Sequence, residues 1–401
     1  MNLPLKIAIR YLFSKKKANF INIISWLAMA GITFGTAALV IILSVFNGLE
    51  DLNRSLFNTF DADLLVKPKV GKNFNFNLID TRKLNQLDGL NYYTKTIEES
   101  ALVKYGDEQT VATIKGVDST FLQNKAFEKS IIDGKFTLGD TINFNAIIGI
   151  GIEQNLSIST VNFFTALEFW YPSKTANLNL ATENSFNKQM ALPAAIFSIE
   201  QSYDNHIIVP LILTDALFEK KGEITALEIN IKKGINVENF KDHLQSICPP
   251  NLNILTRDEQ HSGLLKAIKL EKLFVFIALI FIIGIAALNI FFSLSMLVLE
   301  KTNDIKTLKA LGAKKQMVGR IFKIEGFLIA SAGAIAGLVL GYIICIVQLK
   351  YGLLKMGMVS ALVDSYPIRI QFSDFLFSGI SIFFITLIIS QFPSKKAENI
   401  S

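Results

Sequence analysis

Leu299-Glu-Lys-Thr-Asn-Asp-Ile-Lys-Thr-Leu-Lys-Ala-Leu-Gly-Ala313 is a charged stretch set between two long apolar runs, 273–299 and 326–349, that carry no charge of their own. The stretch predicts a short helix over 302–311. Its winding puts Ile305, Leu308 and Leu311 along one side and lysines on the other. Such a shape suits a groove in a soluble partner, and a helix held between two membrane-spanning segments would pass force to both.

Outward from this stretch, the chain shows two further charge-free runs, 18–49 and 375–394. Each of the four runs reaches the roughly 20 residues needed to cross hydrocarbon, so four spanning helices are expected. The first two exceed that need by about ten residues, which at ~1.5 Å of rise each predicts stalks continuing into the intervening segment. The composition agrees with a mixed protein: 401 residues, 51% apolar and 18% charged, with a mean hydropathy of +0.40.

Charge is distributed unevenly. Residues 51–267 hold 21 basic and 26 acidic side chains, net −5, and the remainder holds 19 and 8, net +11. An acidic domain argues against nucleic acid as a partner. The basic excess gathers at Lys6, Arg10 and Lys15 to Lys17, through 301–323, and at Lys395 and Lys396. By the positive-inside rule both termini and the 301–323 connection are expected on the cytoplasmic side. The first run is too long for a signal-peptide core and is expected to stay as an anchor. Cys248 and Cys345 fall in different compartments on this reading, so no disulfide is expected.

Between the first two spans, alternating runs at 63–67, 98–105, 110–117 and 224–231 predict strands, and 81–87, 118–124, 211–218 and 237–247 predict helices. The last has Asn236 as its cap and Pro249-Pro250 as its stop. This segment is therefore expected to be an α+β domain. Strand-like runs at 161–170 and 190–199 flank a polar stretch, 171–189, that reads as a protruding hairpin loop. The domains expected are 1–49, 50–267 and 268–401.

Gly333, Gly337 and Gly341 recur every fourth residue in the third run, a ladder that admits another helix backbone. Phe392-Pro393 is expected to close the fourth helix. Histidines 206, 243 and 261 stand apart from other metal donors and read as surface residues, so no metal site is expected. No phosphate-cradling G-x-x-x-x-G-K-[ST] occurs, and Gly149-Ile-Gly151 is a bare G-x-G. Any nucleotide hydrolysis belongs to another chain. The middle of each span lacks charge, which argues against an ion pathway and leaves an apolar or amphiphilic client compatible.

Several stretches resemble one family: Ile23-Ile-Ser-Trp-Leu-Ala-Met-Ala-Gly-Ile-Thr-Phe-Gly35, Leu43-Ser-Val-Phe-Asn-Gly-Leu-Glu50, Leu270-Glu-Lys-Leu-Phe274, Glu300-Lys301, Leu308-Lys-Ala-Leu-Gly-Ala313, Glu325-Gly326, the glycine ladder and 393–397. The chain resembles the permease subunits of lipoprotein-releasing (Lol) ABC transporters, of LolC or LolE type, within the MacB/FtsX-like superfamily. The resemblance implies a non-catalytic permease in the bacterial inner membrane, with the large domain periplasmic. It implies a LolD-type ATPase that binds ATP and Mg, a second permease making a hetero- or homodimer, a lipoprotein client and a LolA-type periplasmic carrier.

The same resemblance assigns the coupling helix to Glu300, Lys301, Ile305, Leu308, Lys309, Leu311, Gly312 and Ala313. It implies a client cavity near the periplasmic ends of the first two spans, where Leu43, Phe46, Leu49, Leu270, Phe274 and Ile277 would meet acyl chains. The 171–189 loop, with Tyr171, Pro172 and Lys174, stands where the family's carrier-recruiting hook does. Family members often continue past the final Pro-x-[KR]-[KR]-Ala, whereas this sequence stops at Ser401, which puts contacts of such a tail in doubt. Two other readings share the topology: an FtsX-like mechanotransmitter that activates a periplasmic hydrolase, and a MacB-like efflux component.

Overall fold

The computed structural model describes residues 3–12, 20–140, 142–160, 165–173, 185–199, 202–355 and 365–399. The chain divides into two compact units, one made of Met1–Leu52, Leu264–Gly357 and Val363–Ser401, the other of Asn53–Gly263. Its helices are α1 (Leu3–Leu12), α2 (Phe20–Phe60), α3 (Thr81–Asn85), α4 (Lys125–Glu128), α5 (Ile150–Leu156), α6 (Leu211–Phe218), α7 (Val237–Ile247), α8 (Arg257–Gln260), α9 (Ser262–Glu300), α10 (Thr302–Ala310), α11 (Lys315–Tyr351) and α12 (Phe372–Glu398). Four of the described helices, α2, α9, α11 and α12, are long and apolar enough to cross a membrane.

In the helical unit the glycine ladder faces α2. A Cβ at Gly337 would come within 2.5 Å of the Thr33 carbonyl oxygen, and one at Gly333 within 2.9 Å of that of Met29. Only hydrogen at these positions lets the two backbones approach so closely. Hydroxyls in the spans turn back on their own helices: Thr36 donates to the Ile32 carbonyl at 2.6 Å, Thr386 to Ile382 at 2.8 Å and Ser394 to Ser390 at 2.7 Å. These three hydroxyls thus find acceptors within their own helices, while Ser25 and Ser293 bond each other across two helices. Leu39, Leu43, Ile283, Ile290, Ile329 and Ile382 form the buried core.

Two expectations change here. The helix does not close at Pro393 but runs on to Glu398. Proline removes a single backbone donor, and the turns after it keep theirs. A helix over Leu3–Leu12, absent from the sequence reading, packs along α11.

The second unit is built on strands β1 (Leu64–Pro68), β2 (Phe74–Asn75), β3 (Leu90–Tyr105), β4 (Glu108–Val117), β5 (Ile131–Gly134), β6 (Asn145–Gly149), β7 (Leu167–Pro172), β8 (Phe186–Phe197), β9 (His206–Pro210), β10 (Glu223–Ile224), β11 (Ala226–Ile231) and β12 (Leu252–Thr256). The main sheet runs β12-β1-β11-β3-β4-β9-β6-β8-β5, with β7 bridging β3 and β8, and β10-β2 stands apart. Pairs β4–β9 and β6–β8 are parallel, and the others antiparallel. Helix α7 begins where Asn236 accepts from the amides of Glu238 and Asn239, and its Phe240 and Leu244 go into the core. Helix α6 lays Leu213 and Leu217 against the same core. An α+β domain therefore lies between the first and second spanning helices.

The other sheet face holds a buried ion pair, Lys115 Nζ to Glu228 Oε1 at 2.7 Å. The ammonium also sits 4.3 Å from the centre of the Phe60 ring. Burial opposes the Lys115 charge, but the Glu228 and Glu98 carboxylates outweigh it and raise the pKa, holding the amine protonated. Removing one partner strands the other's charge, which costs about 3–5 kcal/mol. Lys115→Met is expected to lower the thermal midpoint of the purified protein far more than the double change Lys115→Met with Glu228→Leu. Equal losses in the two melts would show that the pair contributes through shape alone.

Candidate functional site

The 299–313 connection forms helix α10 over Thr302–Ala310 rather than 302–311. Its end explains the Leu-Gly-Ala sequence. The Gly312 amide donates to the Lys309 carbonyl and the Ala313 amide to that of Leu308, both at 3.0 Å. This is the two-bond Schellman closure, which needs a left-handed residue at its centre, and Gly312 has φ +93°. A Cβ there would meet nothing within 4 Å, so the requirement is one of backbone conformation alone.

Ile305 does not share an outward face with Leu308 and Leu311. It is 1% exposed and packs with Leu297, Val298, Val318, Phe322 and Ala397, drawn from α9, α11 and α12. The helix follows directly on α9, so its first turn lies against the bundle. Leu308 is half-buried and Leu311 is 79% exposed. Glu300 ends α9, and Lys301 precedes the first turn of α10. Lys309 Nζ donates to the Glu398 carbonyl at 3.2 Å, tying the connection to the end of α12. On α1, Tyr11 stands 6.4 Å from the Phe322 ring, and its own ring lies 5.6 Å from Lys301 Nζ. Burial, with the Asp304 and Glu325 charges, pushes its phenol up to about 12.

At the far end of the spans a polar clamp joins two stretches singled out in the sequence. Asn47, buried, donates to Asp374 and accepts from Lys272 Nζ at 2.5 Å. The Arg369 amide donates to the Ser44 carbonyl at 3.0 Å, and its guanidinium pairs with Asp51. A Cβ at Gly48 would lie 2.2 Å from the Pro367 carbonyl oxygen, so glycine admits the strand of chain before α12. These roles went unread; the signal available was polar Asn and Lys at the margins of otherwise apolar runs.

Of the acyl-contact candidates, Leu43 lies in the bundle core and offers no free surface. Core packing claimed it because its turn of α2 faces the bundle. Phe46 and Leu49 are half-buried. Leu270, Phe274 and Ile277 are exposed, Phe274 at 69%, and their spacing of four and three sets them along one stripe of α9 that Phe281 continues.

Around the loop the strands reach further than expected. β7 extends to Pro172 and β8 begins at Phe186, so Tyr171, Pro172 and 186–189 belong to the ladder. Tyr171 packs edge-on to Phe218 at 4.8 Å and borders the domain core rather than projecting. Lys174 lies outside the described residues. The base of the loop is tied to α6: Ser173 Oγ and Asn187 Nδ2 donate to Glu219 Oε1 at 3.1 and 2.9 Å. Trp170, which the sequence reading passed over, is flanked by Lys104 at 4.4 Å and Lys188 at 3.6 Å.

The α+β unit also holds a cavity of about 650 Å³ bounded by Asp61, Glu98, Lys115, His206, Glu228 and His261. Two histidines read as surface residues line it. His261 stacks on Phe57 at 3.7 Å and bonds Asp61 at 2.7 Å, and His206 abuts Phe60. Burial lowers the His206 pKa, with Glu98 opposing and Lys115 assisting. Only His243 is exposed. The alternation that placed these strands carries no sign of the aromatic cover that Phe57 and Phe60 supply from a helix distant in sequence.

Taken together, four helices long and apolar enough to cross a membrane and an α+β domain after the first define a multi-pass membrane protein with one large extramembrane domain. Residues 25–178 match the MacB-like periplasmic core domain, and residues 276–401 match the FtsX-like permease C-terminal family. Over its full length the chain is similar to the lipoprotein-releasing system transmembrane protein LolE of Haemophilus influenzae, 23% identical with 100% of this chain and 98% of the relative covered. It is also similar to the lipoprotein-releasing system transmembrane protein LolC of Buchnera aphidicola, 26% identical over 96% of this chain and 94% of that one. The periplasmic region of MacB from Actinobacillus actinomycetemcomitans aligns with a TM-score of 0.37 at 10% identity, covering 50% of this chain and 91% of the other. The chain is thus similar along its whole length to LolC/LolE-type permeases, and its two matched segments are those of MacB-like and FtsX-like proteins.

Gly312→Ala is expected to fray the end of α10 at a cost of about 1 kcal/mol, so amide exchange at Leu311 to Ala313 should quicken roughly fivefold. Unchanged exchange would mean that the left-handed turn is not what holds the connection.

Proposed function

We propose that this chain is the permease subunit of an ABC transporter that extracts lipoproteins from the inner membrane and hands them to a periplasmic carrier. A separate LolD-type ATPase drives it, and a second permease, identical or not, completes the transporter. Lysine placement supports cytoplasmic termini and a periplasmic α+β domain. Full-length similarity to proteins named for lipoprotein release supports the client class.

The observation that carries the reading is the seating of α10: Ile305 is anchored among three spanning helices while Leu311 stands free. An ATPase gripping the free side would move the ends of α9, α11 and α12 together. At the far end, Leu270, Phe274 and Ile277 offer an apolar stripe to acyl chains, with Phe46 and Leu49 beside it as lesser candidates. Each methylene moved out of lipid costs about 0.8 kcal/mol, which only an apolar surface offsets. Carrier docking falls to Pro172, Lys174 and the exposed edge of Phe186, since Tyr171 is engaged in the domain.

The rigid joint would equally serve an FtsX-like mechanotransmitter or a MacB-like exporter, so the client decides. Photocrosslinkers at Phe274 and Phe46 are expected to capture lipoprotein, with Phe274 the stronger; capture of nothing acylated would favour the other two readings. Leu311→Asp, at a side chain with no packing to lose, is expected to weaken ATPase retention and cut lipoprotein-stimulated hydrolysis at least tenfold, about 1.4 kcal/mol of coupling. Full retention of both would end the docking assignment.

A further inference from the structure

Glu325 is a buried charge-bearing group to which the function above gives no role. It sits in the second turn-pair of α11, 3% exposed, and its Oε2 has no hydrogen-bond partner. A carboxylate oxygen held out of water without a donor is costly unless a partner arrives in another state. The basic group whose charge reaches it is Lys301, the residue that opens α10. In this structure the Lys301 ammonium is 3.9 Å from Asp304 Oδ2, a carboxylate on the exposed side of α10, and 5.6 Å from the Tyr11 ring. The Tyr11 ring in turn lies 6.4 Å from that of Phe322, one turn before Glu325 on α11, so Lys301, Asp304, Tyr11 and Glu325 gather about one joint of α1, α10 and α11.

We propose that Glu325 is a positioning residue for the coupling helix: the second of two carboxylate seats for Lys301, vacant while Asp304 holds the ammonium. A lysine side chain can exchange seats by rotation about its own bonds, with Ile305 staying in its socket. When a partner takes up exposed Asp304 with a basic group of its own, Lys301 is released and turns inward to Glu325. Docking at the surface is thereby registered inside α11 by the arrival of a counter-charge. This inference rests on the reading of α10 as the site that an ATPase grips.

The test uses the complex of the full chain with its ATPase, reading the ratio of lipoprotein-stimulated to basal hydrolysis alongside ATPase co-purification. Glu325→Gln is expected to retain the ATPase and lower the ratio at least about fivefold, with Glu325→Asp partly restoring it. On a Lys301→Met background, Glu325→Gln should cost nothing further, because the two act through one contact. Multiplying losses, or a full ratio in Glu325→Gln, would overturn the proposal.

Stability supplies an independent arm. Since Glu325→Gln removes a buried carboxylate whose Oε2 has no donor and leaves Lys301 with Asp304, its melting temperature in detergent should equal or exceed that of the parent. A variant that fails to accumulate would show that Glu325 supports the fold and is no switchable seat. Loss of the ATPase in Leu311→Asp but not in Glu325→Gln separates failure of docking from failure of this seat.

Discussion

The burial of Ile305 against Leu297, Val298, Val318, Phe322 and Ala397 is the contact on which the rest of the structure depends. Without it, α10 would be a charged loop of nine residues, too short to hold a helix by propensity. With it, the connection becomes part of the bundle, closed at one end by the Gly312 turn and tied at the other to α9. Burying one isoleucine contributes roughly 1.5–3 kcal/mol. The bond from Lys309 to the Glu398 carbonyl, and the approach of Lys301 to the Tyr11 ring, add direction to that attachment.

On the proposed function, a push on this joint has to travel. From Lys272 to Glu300 α9 is one uninterrupted helix, about 40 Å long at ~1.5 Å per residue. At its far end Lys272 meets Asn47 of α2, which in turn holds Asp374 at the start of α12. Along the way the glycine ladder of α11 locks against Thr33 and Thr36 of α2, where bulkier residues would separate the helices. Polar contacts at both ends and close backbone packing between them make the unit stiff along its length, as a transmitter of motion requires.

Much of this was legible, for physical reasons particular to each segment. Helix α7 was read to the residue because Asn236 caps it and two prolines follow it. The four spans followed from charge-free length, and the α+β class from alternation in β1, β3 and β4. What escaped depends on partners remote in sequence. β3 begins eight residues before its expected start because β11 pairs with its early half. The loop shrank since Phe186 to Gln189 found partners in β7. His206 and His261 are covered by Phe57 and Phe60, and Ile305 by α11 and α12; no local period announces such cover. The clamp residues Asn47 and Lys272 stood in quoted stretches, yet their meeting is 225 residues apart in sequence.

Rigidity of the joint can be measured directly. Spin labels at Lys306 and Lys396, both exposed, report the separation of α10 from the end of α12 in the assembled complex without nucleotide and with ATP bound. If α10 drives the spans as one body, that distance stays constant within about 2 Å across the two states. A change of about 5 Å, one helical turn, would show α10 sliding over the bundle and would contradict the account.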